Sequence, residues 1–158
     1  MATTLTALNY AMARVLDGRP VMVVAQTNAQ GFTSDTIAKM QWQQVYRDTD
    51  RGFDLDPDTY TVNTAGWYHV SARVHWAAQS GGIRFAQLRQ NNLASITVIA
   101  NRSASTQVTT AYVDSIVSCE VGDTMQLWAQ QNSGSTINTY VTSLYNSLWS
   151  MTWISGPQ

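Results

Sequence analysis

An all-β, two-sheet antiparallel sandwich with a short N-terminal arm is the fold class the sequence predicts. Three observations carry it. From Pro20 onward apolar and polar residues alternate over long stretches, the period of half-buried strands rather than helices. Turn-forming residues interrupt that alternation at short intervals: Gly81-Gly82, Asn91-Asn92, Gly122-Asp123 and Asn132-Ser133-Gly134-Ser135. Lys39 is the only lysine and Glu120 the only glutamate, so the charge ladder of a long solvated helix is missing. With 158 residues there is chain for one domain with a proper core. Short strands at regular spacing then imply a sandwich, whose eight-strand form is the jelly roll.

Residues 1–19 differ from the rest. Leu5, Leu8, Met12, Val15 and Leu16 recur at three- and four-residue spacing, with Thr4 or Thr6 as N-cap and Asp17-Gly18 as stop. A single amphipathic helix of this length does not hold alone in water. Its apolar stripe has to dock on its own domain, a sister subunit or another protein. The expected organisation is an arm over residues 1–19, helical or extended and anchored through Leu5, Leu8, Met12 and Leu16. One domain follows over residues 20–158.

Within the domain, Val21–Gln26 reads as a compact apolar strand, and Ile37–Val45 alternates through Ala38, Met40 and Trp42. Thr59–Asn63 is short. Tyr68, Val70, Ala72, Val74 and Trp76 form an inward row against His69, Ser71, Arg73 and His75 on the other face. Arg84–Gln90 and Ser95–Ala100 flank Asn91-Asn92, a hairpin turn. Thr109–Cys119, Thr124–Gln130, Thr139–Leu144 and Leu148–Ile154 complete the set. On the last strand Trp149, Met151 and Trp153 share one face, and Leu148 and Ile154 the other. Large apolar groups on both faces require a second cover.

Composition excludes several functions. Charged residues make up 12% and the net charge is −1, so no basic surface draws nucleic acid or anionic membrane. No apolar run approaches the ~20 residues of a membrane span. The N-terminus lacks the basic start and apolar core of a secretory signal, which points to assembly in a cytoplasm. Cys119 is the single cysteine; lying in the row Val117, Cys119, Val121, it reads as a small buried hydrophobe, and no internal disulfide can form.

Chemistry is thin. The aspartates Asp48, Asp50, Asp54, Asp56 and Asp58 surround Gly52 in the manner of a calcium loop. No Glu closes the loop and Pro57 breaks its spacing, so the expected role is capping of turn amides. His69 and His75 lie six residues apart on one strand, about 20 Å, too far to share an ion within one chain. No nucleophile elbow appears, and one glutamate among loop aspartates offers poor material for glycosidase chemistry. No catalytic, cofactor-binding or metal-binding residue is expected.

Two segments carry a resemblance. Tyr60-Thr-Val-Asn-Thr-Ala-Gly66-Trp-Tyr68-His-Val70 and Val117-Ser-Cys119-Glu-Val-Gly122-Asp123-Thr-Met125-Gln-Leu127 each read strand, tight turn, strand. Phe53-Asp54, Leu88 before the Asn91 turn, and Ser147-Leu-Trp149-Ser150 follow in compatible order. Over roughly residues 20–156 the chain resembles the globular-head domain of the complement and tumour necrosis factor superfamily. Val70 stands where that family has Phe, Asn92 where it has Gly, and Met151 where it has Gly. The resemblance implies a non-enzymatic TNF-like jelly roll that works as a homotrimer, with Gly66 and Gly122 as turn glycines. It also implies that Trp149, Met151 and Trp153 fill the core or serve as trimer contacts around a threefold axis, an exposed Trp platform for sugars being the alternative.

Within the superfamily the chain is most similar to stand-alone bacteriophage versions, found among capsid decoration, head-fibre and minor tail proteins. The Arg-over-Lys bias, eight to one, fits a GC-rich phage genome. The implied partners are sister subunits and virion proteins such as the major capsid protein, and the implied location is the virion, assembled in the host cytoplasm. The alternative is a minor tail or fibre-tip module that binds a host receptor or a host-surface glycan.

Overall fold

The computed structural model describes residues 18–93, 98–102 and 107–157, with the backbone alone at 98–102. The arm anchors Leu5, Leu8, Met12 and Leu16 lie outside the described residues, as do Ser95 to Thr97. No helix occurs among the described residues. The strands are β1 (Val21–Ala25), β2 (Gly31–Phe32), β3 (Ala38–Lys39), β4 (Gln44–Asp48), β5 (Phe53–Asp54), β6 (Thr59–Thr61), β7 (Gly66–Trp76), β8 (Ile83–Gln90), β9 (Val98–Arg102), β10 (Thr109–Cys119), β11 (Thr124–Gln131), β12 (Ile137–Asn138) and β13 (Leu148–Ser155).

They form two main sheets. One has five strands in the order β10-β7-β13-β1-β4. The other has six, β5-β6-β11-β8-β9 with β3 added on β11, and β12 pairs with β2 in a small ribbon. The strand pairings are antiparallel throughout. Between the sheets lies one core. The row Tyr68, Val70, Ala72, Val74 and Trp76 is buried, facing Leu88, Met125, Leu127 and Tyr60. Trp76 meets Phe32 edge-on at 5.0 Å, and Trp149 packs against Trp42 and Phe53 at 6.2 and 5.9 Å. Such aromatic pairs add to simple area burial.

Two expected strands are redrawn. Ile37–Val45 is not one strand. Met40 N still donates to Leu127 O, but Trp42 N donates to Asp58 Oδ1 and Gln43 N to Ala25 O. The alternation survives, with Met40 and Trp42 both buried, while the hydrogen-bond partners switch from one sheet to the other. Thr139–Leu144 is not a strand either. Thr139 bridges Trp76, after which Thr142 Oγ1 accepts from Leu144 N and Tyr145 N and Thr142 N donates to Tyr145 O. A Thr hydroxyl that captures local amides competes with a strand ladder.

Asn91 and Asn92 turn β8 back on itself with φ of 54° and 60°, and Gln90 bridges Leu93. Asn reaches this left-handed region at low cost, which suits Asn92 to a place where the resembled family uses Gly. Asp123 ties this turn to the Gly122 turn. It accepts from Asn91 Nδ2 at 2.8 Å, Gln90 Nε2 at 2.7 Å and Glu120 N at 2.8 Å. Those bonds, led by that from Asn91, hold its carboxyl below the usual range.

Candidate self-association face

The outward face of the five-stranded sheet can be read row by row from the strand register. One row runs Ile116, His69, Thr152, Val21. The next runs Asp114, Ser71, Ser150, Val23, Arg47, and the third Tyr112, Arg73, Leu148, Ala25, Gln44. The middle row is made of small residues at its centre, with Ser150 Oγ donating to Ser71 O at 3.3 Å. Larger apolar groups flank it: Ile116 is 59% exposed, Tyr112 55%, and Ile154 and Trp67 lie further toward one end at 40% and 38%. Charge is sparse and locally engaged. His69 Nε2 sits 3.1 Å from Asp114 Oδ2, and Arg73 Nε donates to Asn146 O. A surface of aliphatic and aromatic groups set among hydroxyls, with few free charges, has the composition of an interface core.

The outward face of the six-stranded sheet is finished differently. The Arg89 guanidinium lies 4.1 Å from the centroid of the Trp128 ring, and Arg89 Nε donates to Gln87 Oε1 at 2.8 Å. Trp128 Nε1 donates to Gln126 Oε1 at 3.0 Å, and Gln126 Nε2 to Thr59 Oγ1 at 3.1 Å. Trp128 here is covered by partners from its own chain.

The residues singled out in the sequence fall in different places. Trp149 and Met151 are fully buried in the sandwich, so neither offers surface to another subunit and the expected contact role is corrected. The reason is register: both lie on the inward face of β13, opposite Ala72 and Val70. Trp153 is half-buried; its Nε1 donates to Ala65 O at 3.2 Å and Arg19 lies over its ring. The outward face of β13 belongs to Leu148, Ser150, Thr152 and Ile154. Sequence reasoning missed Tyr112 and Ile116. Their signal was present in β10, where apolar residues occupy both alternating sets.

Gly66 and Gly122 both have positive φ, 150° and 93°, but for different surroundings. A Cβ on Gly66 would overlap the Ser155 carbonyl oxygen and the Trp153 indole nitrogen, whereas one on Gly122 would meet nothing within 4 Å. Gly66 permits a close approach of β13 to β7; Gly122 only closes a turn.

The aspartate cluster is spent on backbone and tyrosine. Asp48 accepts from Gly52 N and Phe53 N, Asp54 from Asp56 N, and Asp58 from Trp42 N. Asp50 accepts from the Tyr60 hydroxyl at 2.9 Å. Burial raises the carboxyls of Asp50 and Asp58, and burial beside Asp50 pushes the Tyr60 phenol far up. His75 is buried, with Nδ1 2.8 Å from Thr110 Oγ1; burial, helped by Arg73, lowers its pKa. Cys119 is buried in the core, and burial pushes its thiol up to about 12.

No family model and no curated protein matches the sequence. Solved structures do match the fold. Murine APRIL superposes with a TM-score of 0.68 at 11% identity, over 86% of this chain and 99% of that one. The tumour necrosis factor Eiger of S. frugiperda gives 0.65 at 10% identity, over 89% and 95%. The globular domain of zebrafish complement 1qA gives 0.63 at 8%, over 87% and 99%. At these identities the likeness is one of architecture, and the architecture is that of the tumour necrosis factor and complement globular-head jelly roll.

Proposed function

We propose that the chain is a non-enzymatic structural protein that assembles as a homotrimer through the outward face of its five-stranded sheet. The observation that carries this reading is the contrast in covering: Ile116, Tyr112, Leu148 and Ile154 lie outward without the intramolecular seal that Arg89 and Gln126 give Trp128. Burying about 1,000 Å² or more per subunit fits a permanent interface. The jelly-roll resemblance supplies the threefold symmetry. A non-catalytic role agrees with how the acid–base groups are used, since Asp48, Asp54 and Asp58 hold backbone amides and His75 holds a hydroxyl.

The trimer is proposed as part of a bacteriophage particle, decorating or stabilising the capsid or forming part of a head fibre. Resemblance to stand-alone phage domains and the near-neutral, arginine-biased composition support this. Residues 1–19 act as the fastening arm, toward a virion protein such as the major capsid protein. Three arms on one trimer bind at high effective concentration, so modest contacts suffice. Sedimentation velocity on the full chain tests the assembly; a stable monomer at micromolar concentration overturns it. Particles assembled with a chain lacking residues 1–19 test the arm: normal occupancy would place attachment on the jelly roll.

A further inference from the structure

A cavity of about 420 Å³ opens to solvent beside the edge strand β4. Its walls come from three directions. Gln26 and Thr27 continue the chain out of β1, Tyr46 projects from β4, and Thr142, Ser143 and Asn146 come from the loop that leads into β13. The volume falls within the range of small-molecule sites. Its lining is uncharged: hydroxyl, amide and phenol groups beside the one aliphatic side chain of Val141, with no carboxylate, ammonium or guanidinium.

Several of these groups are free to bind. Among the described residues, the Thr27 and Ser143 hydroxyls and the Asn146 side-chain amide make no hydrogen bond. Gln26 is fully buried at the base. Its Nε2 points toward Gln41 O and Gln30 Oε1, two acceptors, which fixes the amide orientation; Oε1 has no donor among the described residues and is itself buried. Tyr46 is 59% exposed at the rim, a flat ring with a polar tip. The loop itself is braced by the Thr142 turn, and Tyr145 within it stacks edge-on against His75 at 5.9 Å.

We infer that this cavity binds a neutral saccharide. An uncharged ligand rich in hydroxyls matches a lining of uncharged donors and acceptors, and the apolar face of a pyranose ring matches an exposed tyrosine ring. The Arg73 guanidinium against the wall is spent on the Asn146 carbonyl behind the lining, so a charged ligand would surrender hydration without a counter-charge from the lining side chains. The site is built within one subunit, so it does not depend on the particle or on the assembly proposed above. In an oligomer it is repeated, and weak single-site binding becomes avid.

Saturation-transfer NMR on the full-length protein tests it, with the methyl glycosides of glucose, galactose and N-acetylglucosamine as neutral probes and sialic acid as the anionic comparator. Transfer to the ring protons of at least one neutral glycoside is expected. Tyr46→Ala should weaken that binding more than tenfold with an unchanged melting temperature. Tyr46→Phe should keep it within threefold, and Trp128→Ala on the other sheet should leave it unaltered. The assignment fails if no neutral glycoside receives transfer at millimolar concentration, or if sialic acid alone does. It also fails if Tyr46→Ala binds normally, or if the loss follows Trp128→Ala instead.

Discussion

On the six-stranded sheet Trp128 is sandwiched by its own chain, between Arg89 above its ring and Gln126 on its indole nitrogen. On the five-stranded sheet Ile116 and Tyr112 project from an equally regular strand and meet no such lid. Both faces alternate in and out with the same period, and both carry aromatics. What separates them is whether long polar side chains fold back across the apolar ones. Arg and Gln, with long stems and terminal donors, can do that; on the five-stranded sheet Arg73, paired beside Tyr112, donates to Asn146 O instead, and the Ser and Thr further along the rows are too short. A sheet face therefore becomes available for partners through where its long polar side chains are engaged as much as through the size of its apolar ones.

The largest expected effect breaks the comparison at its unsealed side. Ile116→Arg should dissociate the assembly by roughly 100-fold or more, since a charge would be buried within the contact. Sedimentation velocity would read this, with circular dichroism unchanged. A variant that still sediments as the parent would show that this face is not the interface.

Next come the two glycines. Gly66→Ala should destabilise the fold by about 3 kcal/mol, combining backbone strain with collision against the Ser155 carbonyl. Gly122→Ala, with open space around it, should cost only the strain, about 1 kcal/mol. Equal losses in urea unfolding would refute the distinction between a close approach and a simple turn.

On the sealed face, Arg89→Ala should cost about 0.5–1 kcal/mol from loss of the stacked cation, with no change in oligomeric state. A change in sedimentation would make this face a contact too.

The smallest effect concerns pH. His75 has a folded pKa below the ordinary histidine value of 6.5, so the unfolded chain takes up the proton first. Its contribution is complete above pH 6.5 and declines as pH falls toward the lowered folded value. The fall in urea midpoint on going from pH 7.5 to 5.5 should therefore be smaller in His75→Asn than in the parent, and an identical fall would contradict this.

How much of this was legible in the sequence depends on the range of the interaction. The row Tyr68 to Trp76 and the whole span of β10 were readable because alternation is local and burial follows it. The Asn91-Asn92 turn was readable for the same reason. The sheet switch at Met40–Trp42 was not, because side-chain alternation continues straight through it while only the backbone partners change. Whether Trp149 and Met151 serve the core or a contact was not legible either, because a strand with apolar groups on both faces does not say which face is inward. Nor does the sequence near Trp128 reveal Arg89, which reaches it from β8 across a cross-strand pairing.

The pairing of β1 with β13 gives the molecule a direction. Val21 lies beside Thr152, and Trp153 N donates to Pro20 O, so the chain enters and leaves the sandwich at the same pole. At the other end of the same pair Ala25 lies beside Leu148, and there Gln26, Thr27 and Asn146 open the saccharide cavity. Five residues of strand, about 16 Å, separate the two. Whatever is joined to either terminus hangs from one pole, and the opposite pole faces away from it. A rotational assembly would keep all its poles aligned, with the ends of the described chain on one side and the cavities on the other.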